Sequence, residues 1–325
     1  MGTTSIEWTK NADGSQGKVW NWARGCSRVS KGCERCYAER MAHRFSGDGQ
    51  PYEGLTTLSK KGPRWVGEAR FVREMLDLPL RTKKPTTWFT NSMSDPFHAD
   101  LTFEQIAAVF AVMAATPQHT YQMLTKRPER AVEFFEWLRD HCGGAPMCGD
   151  EWAGLAQNEM GDGSSESAEE AFWRVRDCFP SDTNGGSHRW PLPNVWLGVS
   201  CEDQAAADER LPILLQLPAS VRFVSAEPLL GSVDFSRWLS DAVHWIIAGG
   251  ESGPGARPCN VDWIRSIVSQ CAQAGVACFV KQLGAKPIGL GPGGLRDRKG
   301  GDIAEWPADL RVRQMPLAAA REAAE

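Results

Sequence analysis

Short apolar runs recur along the chain, each closed by polar residues, and most lead into a stretch of helical period. Positions 86–90, 120–124, 194–199, 221–224, 245–248 and 277–280 are rich in β-branched and aromatic side chains and predict buried strands. A Trp-rich run at 19–22 precedes them as a seventh. Positions 103–115, 129–139, the Ala-rich stretch after Asp203 and 262–274 predict amphipathic helices, the last with Ile264, Ile267, Val268 and Cys271 on one face. Thr102 and Gln105 have the spacing of a capping box, and Pro128 suits a helix start. A further helix over 37–45 sets Tyr37, Met41 and Phe45 at i, i+4 and i+8.

Strands alternating with helices predict a parallel sheet of βαβ units. Polar residues follow nearly every strand, whereas an open doubly wound sheet would gather its ligand groups at one switch point. The expected fold is therefore α/β, a TIM-type or partial (β/α) barrel with its active site at the C-terminal strand ends. One barrel-like catalytic domain is expected over 1–312, with a tail at 313–325. Residues 141–192, rich in Gly, Ser and acids, read as an insertion: an ordinary flexible excursion, or a second metal site using Cys142, Cys148, Cys178 and His188, whose spacings match no compact finger pattern.

With 42% hydrophobic residues the chain of 325 has ample core, and no apolar run reaches membrane-spanning length. Glu7, Lys10, Asp13 and Lys18 interrupt the N-terminal stretch, so no signal peptide is expected. Ten cysteines without an export signal point to a reducing cytoplasm, where clustered thiols more often bind metal than pair. The net charge of −4 excludes a chain that is basic all over. It leaves room for a local track through Lys60, Lys61, Arg64, Arg70, Arg73, Arg81, Lys83 and Lys84, read as a solvated surface or as a nucleic-acid path interleaved with Tyr52, Trp65 and Phe71.

The densest chemistry lies at Cys26, Cys33 and Cys36, with glycines before the first two. Metal ligation competes here with a disulfide or three unrelated thiols. Thiolates hold soft metals and Fe–S clusters, and three ligands to a [4Fe–4S] cluster leave one iron open, the position S-adenosylmethionine uses in radical chemistry. Cys36 is placed at a helix N-terminus, where the dipole lowers a thiol pKa. At the other strand ends, Lys126 and Arg127 suit a carboxylate or phosphate, or pair with Glu202 or Glu227 across the mouth. Glu202 and Glu227 are candidates for a ribose, an ammonium or a substrate proton. Asp95 and His98 form an acid/base pair or fix a loop by hydrogen bonding. Gly249 and Gly250 admit close approach to the backbone, and Glu251 suits an ammonium. Ser200, Ser252 and Lys281 are further cofactor contacts, and Arg257 an anion contact. Cys271 and Cys278 read as core.

Seven motifs then occur in order: the cysteine loop at 25–37, Asn-Ser-Met-Ser-Asp-Pro-Phe-His at 91–98, Leu-Thr-Lys-Arg-Pro-Glu-Arg at 124–130, Trp-Leu-Gly-Val-Ser at 196–200, Ser-Ala-Glu-Pro-Leu-Leu at 225–230, Gly-Gly-Glu-Ser-Gly-x-x-Ala-Arg-Pro at 249–258 and Val-Lys-Gln-Leu-Gly at 280–284. The chain thereby resembles the phage-associated three-Cys-motif family of radical-SAM-like proteins. That resemblance implies a barrel enzyme with a [4Fe–4S] cluster on Cys26, Cys33 and Cys36, S-adenosylmethionine as cofactor and an external reductant. Phage association together with the basic segment implies DNA or a nucleotide as substrate, for repair or modification. Two alternatives stand beside it: an iron–sulfur nucleic-acid-binding or redox-sensing protein without turnover, and a zinc protein adding His43 or another ligand. The chain departs from the wider superfamily in cysteine spacing, six residues then two instead of three then two. Its Gly-Gly-Glu also follows about the sixth strand instead of the second.

Overall fold

Seven strands make one sheet: β1 (Lys18–Trp20), β2 (Thr87–Thr90), β3 (Thr120–Thr125), β4 (Val195–Ser200), β5 (Val221–Ala226), β6 (Trp245–Gly249) and β7 (Ala277–Gln282). Each pairs in parallel with the next in the chain, and the sheet curls into a half-barrel whose edges are β1 and β7. The structure, a computed structural model, describes residues 4–141, 149–160, 173, 190–239, 242–291 and 294–316. Parallel neighbours need crossovers, and helices supply most of them: α1 (Tyr37–His43), α2 (Phe103–Ala114), α3 (Pro128–His141), α4 (Gly149–Met160), α5 (Gln204–Leu214) and α6 (Val261–Ala274). The partial barrel read from the strand and helix pattern is the observed architecture.

The pleat sorts each strand's side chains onto two faces. Trp88, Tyr121, Met123, Leu197, Val224, Ile246 and Val280 pack beneath the helices, meeting Ile106, Phe110, Phe134, Leu211 and Ile264. The alternate positions Phe89, Trp196, Phe223, Trp245 and Phe279 form a second cluster on the other face. Trp8 plugs this cluster, edge-on to Phe89 at 4.9 Å and to Trp245 at 5.8 Å. Burying a side chain of that size is worth about 3 kcal/mol, which anchors the N-terminal segment inside the curl.

Helix starts are fixed locally. Thr102 Oγ1 accepts from Gln105 N at 3.3 Å while Gln105 Oε1 accepts from Thr102 N at 3.1 Å, the reciprocal capping box expected there. Asp203 caps α5 by accepting from Ala206 N. That cap places the preceding residue, Glu202, at the strand-to-helix turn above the sheet. The chain past α6 and β7 returns along the open β7 edge: Val280 N donates to Val312 O and Gln314 N to Cys278 O, both at 2.8 Å. This covers an edge that would otherwise offer unpaired backbone groups.

Part of the 141–192 stretch is ordered scaffold. Helix α4 packs on α2, with Trp152 buried beside Phe110. Cys142, Cys148, Cys178 and His188 lie outside the described residues. The basic stretch between α1 and β2 contains an antiparallel hairpin, Thr56–Ser59 with Gly62–Trp65, packed on α1. Among the described residues no helix is long and apolar enough to cross a membrane.

Candidate active site at the barrel mouth

The three-cysteine segment runs from Gly25 through a 3₁₀ turn (Lys31–Arg35) into α1, whose N-cap is Cys36. Four parts of the molecule hold it. From the end of β3, Arg127 donates through Nη2 to Ser27 O at 2.9 Å and to Ser27 Oγ at 2.8 Å, with Nη1 3.9 Å from Cys26 Sγ. From the end of β4, Glu202 Oε1 accepts the Gly32 N–H at 3.1 Å, and Asp203 lies 3.5 Å from Lys31 Nζ. From the loop after β6, Arg257 Nη1 donates to Lys31 O at 2.8 Å. On the far side Arg28 Nε donates to the buried Glu39 of α1 at 2.8 Å, and Glu39 also accepts the Trp65 N–H of the hairpin at 3.2 Å. The segment is thus clasped over the C-terminal strand ends.

Most strand-end side chains predicted for chemistry are already paired. Asp95 accepts from Thr125 Oγ1 at 2.7 Å and from the amides of Lys126 and Phe97 at 3.0 Å, and it pairs with Arg127 at 2.9 Å. His98 Nδ1 accepts from Asp100 N at 3.3 Å, so the proton sits on Nε2, which meets Ser27 Oγ at 2.9 Å. Asp95 and His98 therefore fix the loop and do not form an acid/base pair with each other. Burial, assisted by the Arg127 charge, holds His98 below the ordinary histidine range. Glu227 Oε1 pairs with Lys281 Nζ at 2.7 Å and accepts from Gln282 Nε2 at 3.3 Å, so two predicted contacts are each other's partner. Glu251 is held by Arg257, which donates to it through its amide N (2.7 Å), Nε (3.1 Å) and Nη2 (2.7 Å). Its carboxylate answers an internal arginine, not a free ammonium site.

Lys126 differs from these. It donates to Ser200 Oγ at 3.0 Å, and among the described residues no carboxylate lies within ion-pair distance of it. The expected pairing with Glu202 or Glu227 is replaced by one the sequence reading missed, Glu202 with Arg210 Nη1 at 3.1 Å, both almost completely buried. Burial pushes Glu202 up, but hydrogen bonds from Ser30 and Gly32 and the charges of Arg210 and Lys126 win and hold it below the usual carboxylate range. A sequence signal for Arg210 exists: it is a cation on the apolar face of α5, alongside Ala206, Ala207, Leu211 and Leu214. Ser252 is half-buried in the loop after β6.

Two glycines are explained by close approach. A Cβ on Gly32 would stand 3.0 Å from Glu202 Cδ, so the carboxylate occupies the space that a side chain would need. A Cβ on Gly250 would lie 2.4 Å from Leu283 O and 2.9 Å from Gly284 Cα. The Gly249-Gly250 turn is therefore shaped by packing against the β7 exit loop, with Gly250 N donating to Gln282 O at 3.0 Å.

All three thiols are half-buried and free of disulfides. Cys26 and Cys36 pack on the same small apolar cluster of Ala38, Ala42, Leu55, Trp65 and Met93. Burial pushes the Cys26 thiol up to about 12, with Asp95 adding to the rise and Arg127 opposing it. Burial also raises Cys36, outweighing the Ala38 amide, so the helix start does not lower this thiol as expected. Among the described residues no three His, Cys, Asp or Glu side chains converge closely enough to hold a metal ion. His43 lies seven residues past Cys36, about 10 Å along α1, and its Nδ1 meets Thr56 Oγ1 at 3.0 Å. Cys271 and Cys278 are core, as read from the sequence.

The aromatics expected along the basic track are packed inward: Trp65 is buried, Tyr52 leans on it, and Phe71 packs against the main core. A surface cavity of about 880 Å³ is lined by Pro258, residues 284–291 and residues 294–298, and holds none of the predicted site residues.

No curated protein and no solved structure matches this chain. One family does, over residues 3–301, nearly the whole length from the first strand through the β7 exit loop. The chain belongs to that family, described as "Protein of unknown function (DUF5131)".

Proposed function

We propose that this protein is a radical-SAM-like iron–sulfur enzyme acting on a nucleic acid or nucleotide, in repair or modification of a base. The observation that carries the reading is the clasping of Ser27, Lys31 and Gly32 by Arg127, Arg257 and Glu202, which hold a three-thiol loop over the polar strand ends of a half-barrel. A staple for structure alone has no need of that position, whereas an active centre does.

The donor set suits the cofactor: three soft ligands on one loop, with the cations Arg28, Lys126 and Arg127 around it to balance an anionic cluster. Cys26, Cys33 and Cys36 are the residues that would hold it. A bound [4Fe–4S] cluster supplies one-electron reduction of S-adenosylmethionine, with an external reductant as the electron source. Lys126, whose ammonium donates to the neutral Ser200 and has no carboxylate within ion-pair distance among the described residues, is the cation best placed to receive the carboxylate of that cofactor or a substrate phosphate. Asp95 keeps Arg127 aimed at Ser27, and Arg210 keeps Glu202 aimed at Gly32. These are positioning roles. Glu227 and Lys281 form an ion pair at the neighbouring strand ends.

Anaerobic reconstitution followed by iron analysis, then dithionite with S-adenosylmethionine, tests the reading. The expected result is a brown protein that releases 5′-deoxyadenosine and loses its colour in the Cys33→Ala variant. Colourless protein with stoichiometric zinc would refute it. An intact cluster without release of 5′-deoxyadenosine would favour a binding or sensing protein instead.

A further inference from the structure

Helix α1 begins one residue past Cys36 and buries only one side, Ala38, Glu39 and Ala42, against the hairpin. An adjoining side is apolar and in the open: Tyr37 and Met41 on the helix are 55% and 43% exposed, and Phe45, in the turn just past its end, is 47% exposed. Tyr37 and Met41 are four residues apart, about 6 Å along the axis, with room for a flat ring over each, and the turn adds the exposed ring of Phe45. Tyr37 is held at the mouth end, because its hydroxyl donates to Ser92 O at 2.8 Å in the loop after β2. A ring pinned in place and still half exposed is a ready stacking surface.

The charge around this row is positive on balance. Residues 24–84 carry fourteen Lys and Arg against seven Asp and Glu, a net of +7 in a chain of −4, which leaves −11 for everything else. Arg40 and Arg44 lie beside the apolar row, at the i+3 and i+7 positions from Tyr37. Lys60, Lys61 and Arg64 are exposed on the adjoining hairpin. Among the described residues, Arg44, Lys60, Lys61 and Arg64 have no carboxylate partner. Unpaired cations flanking exposed aromatic and thioether side chains fit a polyanion with π-faces, and neither a neutral protein partner nor a duplex presents both.

We propose that the exposed side of α1 with the hairpin is a docking platform for single-stranded nucleic acid, its bases on Tyr37, Met41 and Phe45 and its backbone along Arg44, Lys60, Lys61 and Arg64. The platform starts at Cys36, so a strand lying on it leads into the mouth. The inference deepens the nucleic-acid side of the proposed function, but it requires neither cluster nor turnover.

Fluorescence anisotropy of the full chain tests it, using a labelled oligonucleotide as DNA single strand, RNA single strand and duplex over a range of salt. Tighter binding of either single strand than of the duplex is expected, and the DNA and RNA arms identify the source. Met41→Ala with Phe45→Ala should weaken binding about tenfold with an unchanged melting temperature, and Phe45→Trp should retain it. Replacing Lys60, Lys61 and Arg64 together by Ala should flatten the log–log salt slope by about 2. The proposal is overturned if no single strand binds, if the duplex binds as tightly, if the ridge variants bind like the parent, or if only anionic vesicles respond to them. A brown, SAM-cleaving protein that fails here refutes the platform alone, and a colourless protein that binds strands refutes the enzyme reading alone.

Discussion

Glu202 holds Gly32 through a backbone hydrogen bond of 3.1 Å that joins residues 170 positions apart, and the same carboxylate is ion-paired to Arg210. The carboxylate is the hinge between scaffold and cysteine loop. Glu202→Ala leaves the Arg210 guanidinium buried without its partner and should cost about 3–5 kcal/mol in urea unfolding. Gly32→Ala pushes a methyl group toward the carboxylate and should cost about 1–3 kcal/mol, with the sheet core intact by far-UV circular dichroism. Wild-type stability in Glu202→Ala would remove the hinge role.

Asp95 and Lys126 are adjacent in space yet should respond oppositely to truncation. Asp95→Ala removes four acceptor contacts and strands Arg127, which is only 13% exposed, so a loss of about 3 kcal/mol is expected. Lys126→Ala removes one hydrogen bond to a serine, so stability should stay within about 1 kcal/mol while binding of S-adenosylmethionine or an anionic substrate falls. Calorimetric titration beside thermal melts separates the two. A Lys126 variant that binds normally would move the anion site elsewhere.

The seven-strand alternation was legible because each strand is a compact apolar run and the helix-start signals at Thr102 and Pro128 mark where helices begin. The hairpin at 56–65 was not, since its exposed residues Thr57, Leu58 and Arg64 show no clean alternation and its register rests on packing against α1. At the mouth, residue types could be read but pairings could not. Arg127 and Lys126 are consecutive cations, and only the fold decides that the first meets Asp95 while the second meets Ser200. Tyr37, Met41 and Phe45 carry the same warning: their period predicts a helix face over 37–45, but the helix stops at His43 and it is Ala38 and Ala42 that are buried.

Acid sensitivity should arise in part from His119, well away from the cysteines. Its Nδ1 accepts from Thr86 N at 3.2 Å and its Nε2 meets Pro79 O at 3.1 Å, in a buried setting beside Trp88 and Tyr121. Burial lowers its pKa below the ordinary 6.5. The unfolded chain then binds the proton more readily, so the stability contributed by neutral His119 is complete above 6.5 and is lost as pH falls through the lower folded value. Urea unfolding from pH 8 to pH 5 should show this decline, with a flatter profile in His119→Gln. Parallel profiles for parent and variant would assign the acid sensitivity to other groups.

Arg257 is the clasp that depends most on the shape of a side chain. Its fork meets both oxygens of Glu251, and Nη1 continues to Lys31 O in the cysteine loop, so one planar group bridges two segments. A lysine keeps the charge but not the fork, and an ammonium cannot serve both partners along those directions. Arg257→Lys should therefore leave global stability little changed while the loop around Lys31 opens more often. Charge-assisted hydrogen bonds of this kind are worth about 2 kcal/mol, so the Cys33 thiol should react roughly tenfold faster or more with a soluble disulfide reagent. Mass spectrometry reads this site by site, with the core thiol Cys278 as internal reference. If Cys33 and Cys278 accelerate together, the variant has loosened the whole barrel. If neither does, Arg257 does not hold the loop. Acceleration at Cys33 alone is the result expected of a clasp that controls access to the three cysteines.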